Sequence, residues 1–166
     1  MVLSLARRAW IAAAVALAFA GCSDPTGPLP REGVPDELRF SIGGFGTSST
    51  TIELEGDAVV LTRIPWDWSP GMPVDSVRAV PTAEGWAAFW AAAEQAGVRR
   101  WRERYMAEGV VDGGGYSLRL VAGDLVIESA GSNAYPDRRG REHEMEHTSA
   151  FSEFLDAIGA LVGRDL

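Results

Sequence analysis

Two periodicities divide this chain, and each demands a different kind of packing. Apolar and polar residues alternate in Glu37-Leu38-Arg39-Phe40-Ser41-Ile42, in Thr50-Thr51-Ile52-Glu53-Leu54 and in Tyr116-Ser117-Leu118-Arg119-Leu120, the pattern of a strand with one buried face. Glu55-Gly56-Asp57 turns the second run into a third, Ala58-Val59-Val60-Leu61-Thr62, and Ala122-Gly123-Asp124 returns the later one through Leu125, Ile127 and Ser129. Elsewhere the repeat is helical. Trp86, Phe89, Trp90 and Ala93 form one stripe, and Phe151, Phe154, Leu155, Ile158, Leu161 and Val162 form another. Thr82 can cap the first helix, Glu84 suits its positive end and Gly97 can stop it; Thr148 or Ser149 can cap the second. The order βββαββα predicts an α+β fold, an antiparallel sheet of about five strands with two amphipathic helices on one face. Residues 37–166 suffice for one core and show no repeat of fixed period, so they are expected to form a single domain.

The N-terminal end obeys other rules. Arg7 and Arg8 precede an apolar run over residues 9–20 that is short for a membrane span, which is the layout of a secretory signal over residues 1–21. The run closes in Leu17-Ala18-Phe19-Ala20-Gly21-Cys22, which resembles the lipobox of bacterial lipoproteins, with Phe19 where the family usually has Leu. The resemblance implies that Cys22 becomes the acylated first residue of the mature chain, carrying palmitate or a similar fatty acid. It implies a cell-envelope location, periplasmic or surface-exposed, and Ser23 favours the outer membrane. Cys22 is the only cysteine, so no internal disulfide competes for it. Each buried acyl methylene adds about 0.8 kcal/mol of anchoring. Prolines and glycines punctuate Ser23-Asp24-Pro25-Thr26-Gly27-Pro28 and the residues after it, so 22–36 reads as a tether reaching on the order of 40 Å when extended.

Charge narrows the partners. Removing residues 1–21 takes away two arginines and no acid, so a formal charge of −8 becomes −10. An exported acidic domain repels phosphate backbones, which argues against nucleic acid. The expected partners are the membrane, through the lipid, and an envelope or secreted protein. No cofactor is expected: the glycines of Gly43-Gly44-Phe45-Gly46 have no following Lys or helix to make a phosphate cradle. No Gly-x-Ser-x-Gly elbow is present either, and the domain is expected to be non-catalytic.

Two motifs in the second half, Asp112-Gly113-Gly114-Gly115-Tyr116 and Gly131-Ser132-Asn133-Ala134-Tyr135-Pro136, resemble those of a group of small bacterial domains, many of them exported and most without an assigned activity, with Trp101 and Tyr105 in familiar places ahead of them. The Gly-Gly-Phe element with the later Asp-Gly-x-x-Tyr strand is also similar to emfourin-type inhibitors of metalloproteases. That second resemblance implies protease inhibition as an alternative function.

Candidate binding residues follow from this reading. Asn133 tolerates the left-handed region and Pro136 extends Tyr135, so the turn presents Tyr135 rigidly, either as a packed ring or as a binding anchor. On an extended segment Trp66 and Trp68 would face the same way, to cover the sheet edge or to stack on a partner. Phe45 completes the set. His143-Glu144-Met145-Glu146-His147 formally matches the H-E-x-x-H zinc motif, which would make a small metal-dependent hydrolase a further alternative, with His143 and His147 as weak candidate ligands. The surrounding charges and single apolar residue read instead as a solvated loop. Arg99, Arg100, Arg102 and Arg104 around Trp101 read as a solvated face, or as a contact for an acidic or phosphorylated partner.

Overall fold

A computed structural model describes residues 28–110 and 112–166. The signal segment 1–21 and Cys22 lie outside the described residues. Among those described, no helix is long and apolar enough to cross a membrane.

The fold is α+β. Its strands are β1 (Glu37–Gly44), β2 (Thr47–Glu55), β3 (Ala58–Ile64), β4 (Asp75–Ala79), β5 (Arg104–Met106), β6 (Gly114–Ala122), β7 (Leu125–Ser132), β8 (Ala134–Pro136) and β9 (Glu142–Glu144). The helices are α1 (Ala83–Ala96) and α2 (Ser149–Val162), with a 3-10 turn at Val98–Arg100. Seven strands form one sheet in the order β4-β3-β2-β1-β6-β7-β5, and β8 pairs with β9 as a separate ribbon. The expected meander and second hairpin are present in antiparallel register, Phe40 opposite both Ile52 and Leu118.

The expectation of about five antiparallel strands is corrected to a mixed sheet of seven. β4 lies in a stretch bounded by Pro73 and Pro81, where a proline-tolerant edge strand needs only the short inward pair Val77 and Ala79 to hold it. β5 runs parallel to β7 over three residues. That pairing has no local signal, because its partner lies beyond a whole intervening strand.

Inward positions of the strands, such as Leu38, Phe40, Ile52, Leu61, Leu118 and Leu120, are buried beneath both helices. Phe154 of α2 joins the layers, edge-on to Phe40 at 6.0 Å and to Trp101 at 5.1 Å, with Phe89 of α1 at 6.1 Å. Outward positions carry Glu37, Arg39 and Arg119 in ion pairs, and Ser41 and Ser117 share a hydrogen bond of 2.8 Å. Both helices are capped as expected. Thr82 Oγ1 accepts from Gly85 N–H, Thr148 Oγ1 accepts from Phe151 N–H, and Gly97 and Gly163 stop the helices at positive φ.

The tether reading gives way over residues 28–36. Leu29 is 5% exposed in an apolar slot beside Ala87, Trp90 and Ala91 of α1. The Trp90 indole N–H donates to Gly33 carbonyl at 2.8 Å, and Asp36 N–H donates to Val121 carbonyl at 2.8 Å. Leu29 N–H donates to Glu94 at 3.4 Å and Gly123 N–H to the Asp36 carboxylate at 2.6 Å, so although proline and glycine deny this segment a regular structure, buried Leu29 and Pro35 and these four hydrogen bonds dock it.

Candidate functional site

The register places one end of each strand of the large sheet together: β1, β3, β5 and β7 finish where β2, β4 and β6 begin. The connections at this end carry most of the exposed large apolar side chains, among them Phe45, Ile64, Trp66, Trp68 and Met72. Of such side chains among the described residues, only Val34, Val80 and Val126 lie elsewhere.

Phe45 sits at the tip of the β1–β2 turn and is 81% exposed. Its backbone is held, because Phe45 N–H donates to Gly113 carbonyl at 3.0 Å. Gly44 permits this: a Cβ there would overlap Gly113 carbonyl and lie 2.7 Å from Gly114 Cα. The two glycines that break β1 in the sequence thus serve a close backbone approach.

Trp66 and Trp68 do not lie on an extended segment as expected. Trp68 N–H donates to Pro65 carbonyl at 3.1 Å, which closes a turn through Trp66 and Asp67. The Trp68 indole N–H then donates to Met72 carbonyl at 3.0 Å and ties the loop to itself. The indoles therefore have separate roles. Trp68 braces the loop, whereas Trp66, 70% exposed, projects from it.

Of the two readings of Tyr135 the packed ring is the one present, and as candidate surface residues Tyr135 and Asn133 are corrected to the interior, at 5% and 6% exposure. The Tyr135 ring packs on Tyr116, Phe151 and His147 at centroid distances of 6.0, 4.9 and 4.4 Å. Asn133 adopts φ 51, donates its N–H to Gly114 carbonyl at 2.8 Å and accepts from Met145 N–H at 2.7 Å. Its side chain lies against Gly113, where any Cβ would strike it. The Asp-Gly and Gly-Ser-Asn-Ala-Tyr-Pro motifs are thus two halves of one joint that sets the loop end.

The H-E-x-x-H segment is not a helix. His143 lies on β9, Met145 takes φ 66, and His147 directly precedes the α2 cap Thr148. His143 Nε2 is 3.4 Å from Asp137 Oδ2, while the His147 ring turns to Tyr135 and Phe151. The shared helical face on which such a zinc site depends is therefore not formed. Among the described residues, no three His, Cys, Asp or Glu side chains gather as a metal-holding group. Burial works to raise the Asp137 carboxyl, but hydrogen bonds from Arg141, Arg139 and His143 outweigh it and hold the group well below the usual carboxylate range. Burial lowers the His147 imidazole below its ordinary value.

The arginine cluster is partly structural. Arg102 stacks over the Tyr105 ring at 4.7 Å and pairs with Glu142 at 3.4 Å, and Arg100 donates to Arg138 carbonyl at 3.2 Å. Trp101 is buried against Phe151 and Phe154.

Beside the exposed rim, on the helix side of the sheet, lies a groove of about 660 Å³ walled by Ile42, Thr50, Arg63, Tyr135, His147 and Leu155, with residues 165 and 166 completing it. Thr50 and Arg63 are register partners at inward positions of β2 and β3. Arg63 Nε donates to Thr50 Oγ1 at 3.3 Å and Nη2 donates to Asp165 carbonyl at 2.7 Å. Neither residue was singled out from the sequence. The available signal was phase: both are polar where the alternation of their strands calls for apolar side chains.

Comparison with protein-family models, with curated proteins and with solved structures finds no match for this chain.

Proposed function

We propose that this protein is an exported, lipid-anchored, non-catalytic binding module of the cell envelope that engages an envelope or secreted protein through the exposed loop end of its sheet. The observation that carries the reading is the concentration of large exposed apolar side chains at that end, with Phe45 on a turn pinned to Gly113 and Trp66 on a turn closed by the Trp68–Pro65 backbone hydrogen bond. Exposed apolar patches on a charged domain mark interaction surfaces, and anchors on rigid turns lose little freedom on binding. The lipobox-like Leu17-Ala18-Phe19-Ala20-Gly21-Cys22 supports the anchor.

Crosslinking in intact envelopes tests the docking end. The Phe45→Ala/Trp66→Ala double variant should lose the partner crosslinks of the parent protein while keeping its melting temperature; retained crosslinks would place docking elsewhere. Globomycin should retard electrophoretic mobility through the retained signal, and Cys22→Ser should lose incorporation of labelled palmitate.

A second reading, inhibition of a metalloprotease in the manner of emfourin, is favoured by the projecting Phe45 on its pinned Gly-Gly-Phe-Gly turn. It requires that the purified domain inhibit a secreted metalloprotease and that Phe45→Ala abolish the effect.

A further inference from the structure

We propose that the groove beside the rim is a subsite for a singly charged carboxylate borne on a short aliphatic group. This rests on the reading of the domain as a binding module and names the chemistry of one part of its surface. The groove is rich in donors that lack acceptors. Arg63 is only partly exposed, forms no ion pair among the described residues, and spends Nε and Nη2 on neutral oxygens, Thr50 Oγ1 and Asp165 carbonyl. A guanidinium taken partly from water keeps its charge uncancelled by neutral acceptors, whereas a carboxylate cancels it and can meet its planar fork with two oxygens. The Tyr135 hydroxyl makes no hydrogen bond among the described residues, although the side chain is almost fully buried and lines the groove. Buried Thr50 accepts from Arg63, which leaves its own O–H as a further donor.

The acids nearby do not fill this demand. Asp75, the register partner of Arg63 on β4, has Arg164 at 3.8 Å, and Asp165 meets Arg63 through its backbone carbonyl. These same acids decide the charge of the ligand. With one guanidinium to receive it and two carboxylates close by, a monoanion is accommodated where a doubly charged phosphate is repelled. Ile42, Leu155 and Leu166 supply apolar wall on which a short aliphatic group can lie.

The test uses N-acetyl-leucine, its carboxamide and inorganic phosphate, each titrated into the protein purified in mild detergent. NMR follows the Arg63 Nε–H and His147 ring resonances. The free acid should shift both saturably, and the amide and phosphate should not. A short peptide ending in leucine, compared as free acid and as C-terminal amide, distinguishes a polypeptide C-terminus from a small free acid as the source of the carboxylate. Arg63→Gln should weaken binding of the acid at least about tenfold, the scale of one lost charge-assisted contact, with Arg63→Lys recovering part of it. Should Arg63→Gln fail to fold, Tyr135→Phe removes only a hydroxyl and should weaken binding several-fold. Equal shifts from acid and amide, saturation by phosphate, no shift at all, or unchanged affinity in the variants would each overturn the subsite. The rim is read separately by envelope crosslinks, so loss of one proposal leaves the other standing.

Discussion

Gly113 and Asn133 should be energetically coupled, and the size of the coupling follows from their contact. Gly113 has φ +143, and a Cβ built on it would lie 2.7 Å from Asn133 Cγ and 2.9 Å from Nδ2, closer still to Oδ1. Ordinary carbon contacts begin near ~3.5 Å, so Gly113→Ala must push the amide aside. Backbone strain at that φ costs about 1–3 kcal/mol and the overlap about 1–3 kcal/mol more. Asn133→Gly removes the obstructing amide and keeps the left-handed φ of 51 without steric cost. It gives up one long hydrogen bond, Nδ2–H to Asp112 carbonyl at 3.4 Å, worth about 0.5–1 kcal/mol. The double variant should therefore be more stable than the sum of the single losses by about 1–3 kcal/mol. Urea unfolding followed by tryptophan fluorescence measures each corner of the cycle. Costs that add to within about 0.5 kcal/mol would refute the idea that the two motifs form one packed joint.

The other predictions separate surface from core and follow the charges. Trp66→Ala should change stability by less than about 0.5 kcal/mol, whereas Trp90→Ala, which empties the core and frees Gly33 carbonyl, should cost about 3–5 kcal/mol by the same unfolding assay. Leu29→Ser should release residues 28–36 from α1 and make trypsin cut after Arg31 at concentrations that leave the parent intact. Because the folded Asp137 carboxyl lies below its unfolded value, its contribution is complete above about pH 4 and is lost as the pH falls through and below that value; Asp137→Asn should flatten this acid limb of stability. The lowered His147 has the same sign at a higher range, its contribution present above about pH 6.5 and lost as the pH falls below it, and His147→Gln should remove that slope.

Much of the scaffold was legible from residues two to four apart. The alternation of Leu38 and Phe40, the stripe from Trp86 to Ala93 and the caps Thr82 and Thr148 all describe a residue's relation to its close neighbours, and each is present as read. The candidate site was less legible. Phe45 and Trp66 are exposed, but Tyr135 and Asn133 are interior, and the groove residues Thr50 and Arg63 escaped notice because a polar residue in an apolar phase is a weak signal by itself.

The amino-acid order by itself determined the five strands of the meander and the second hairpin, the two helices with their caps and the stop of the first, and that the fold is α+β, since these follow from local sterics, capping and the side-chain period. Only the tertiary structure decided that β5 joins β7 in parallel, that Leu29 docks on α1, that Asn133 locks against Gly113, and that Arg63 shares a groove with Tyr135. Those outcomes depend on contacts between distant parts of the chain, such as the bond from Trp90 to Gly33 and that from Arg63 to Asp165. Their free energy exists only once the sheet and helices have brought the partners together, so no local pattern encodes it.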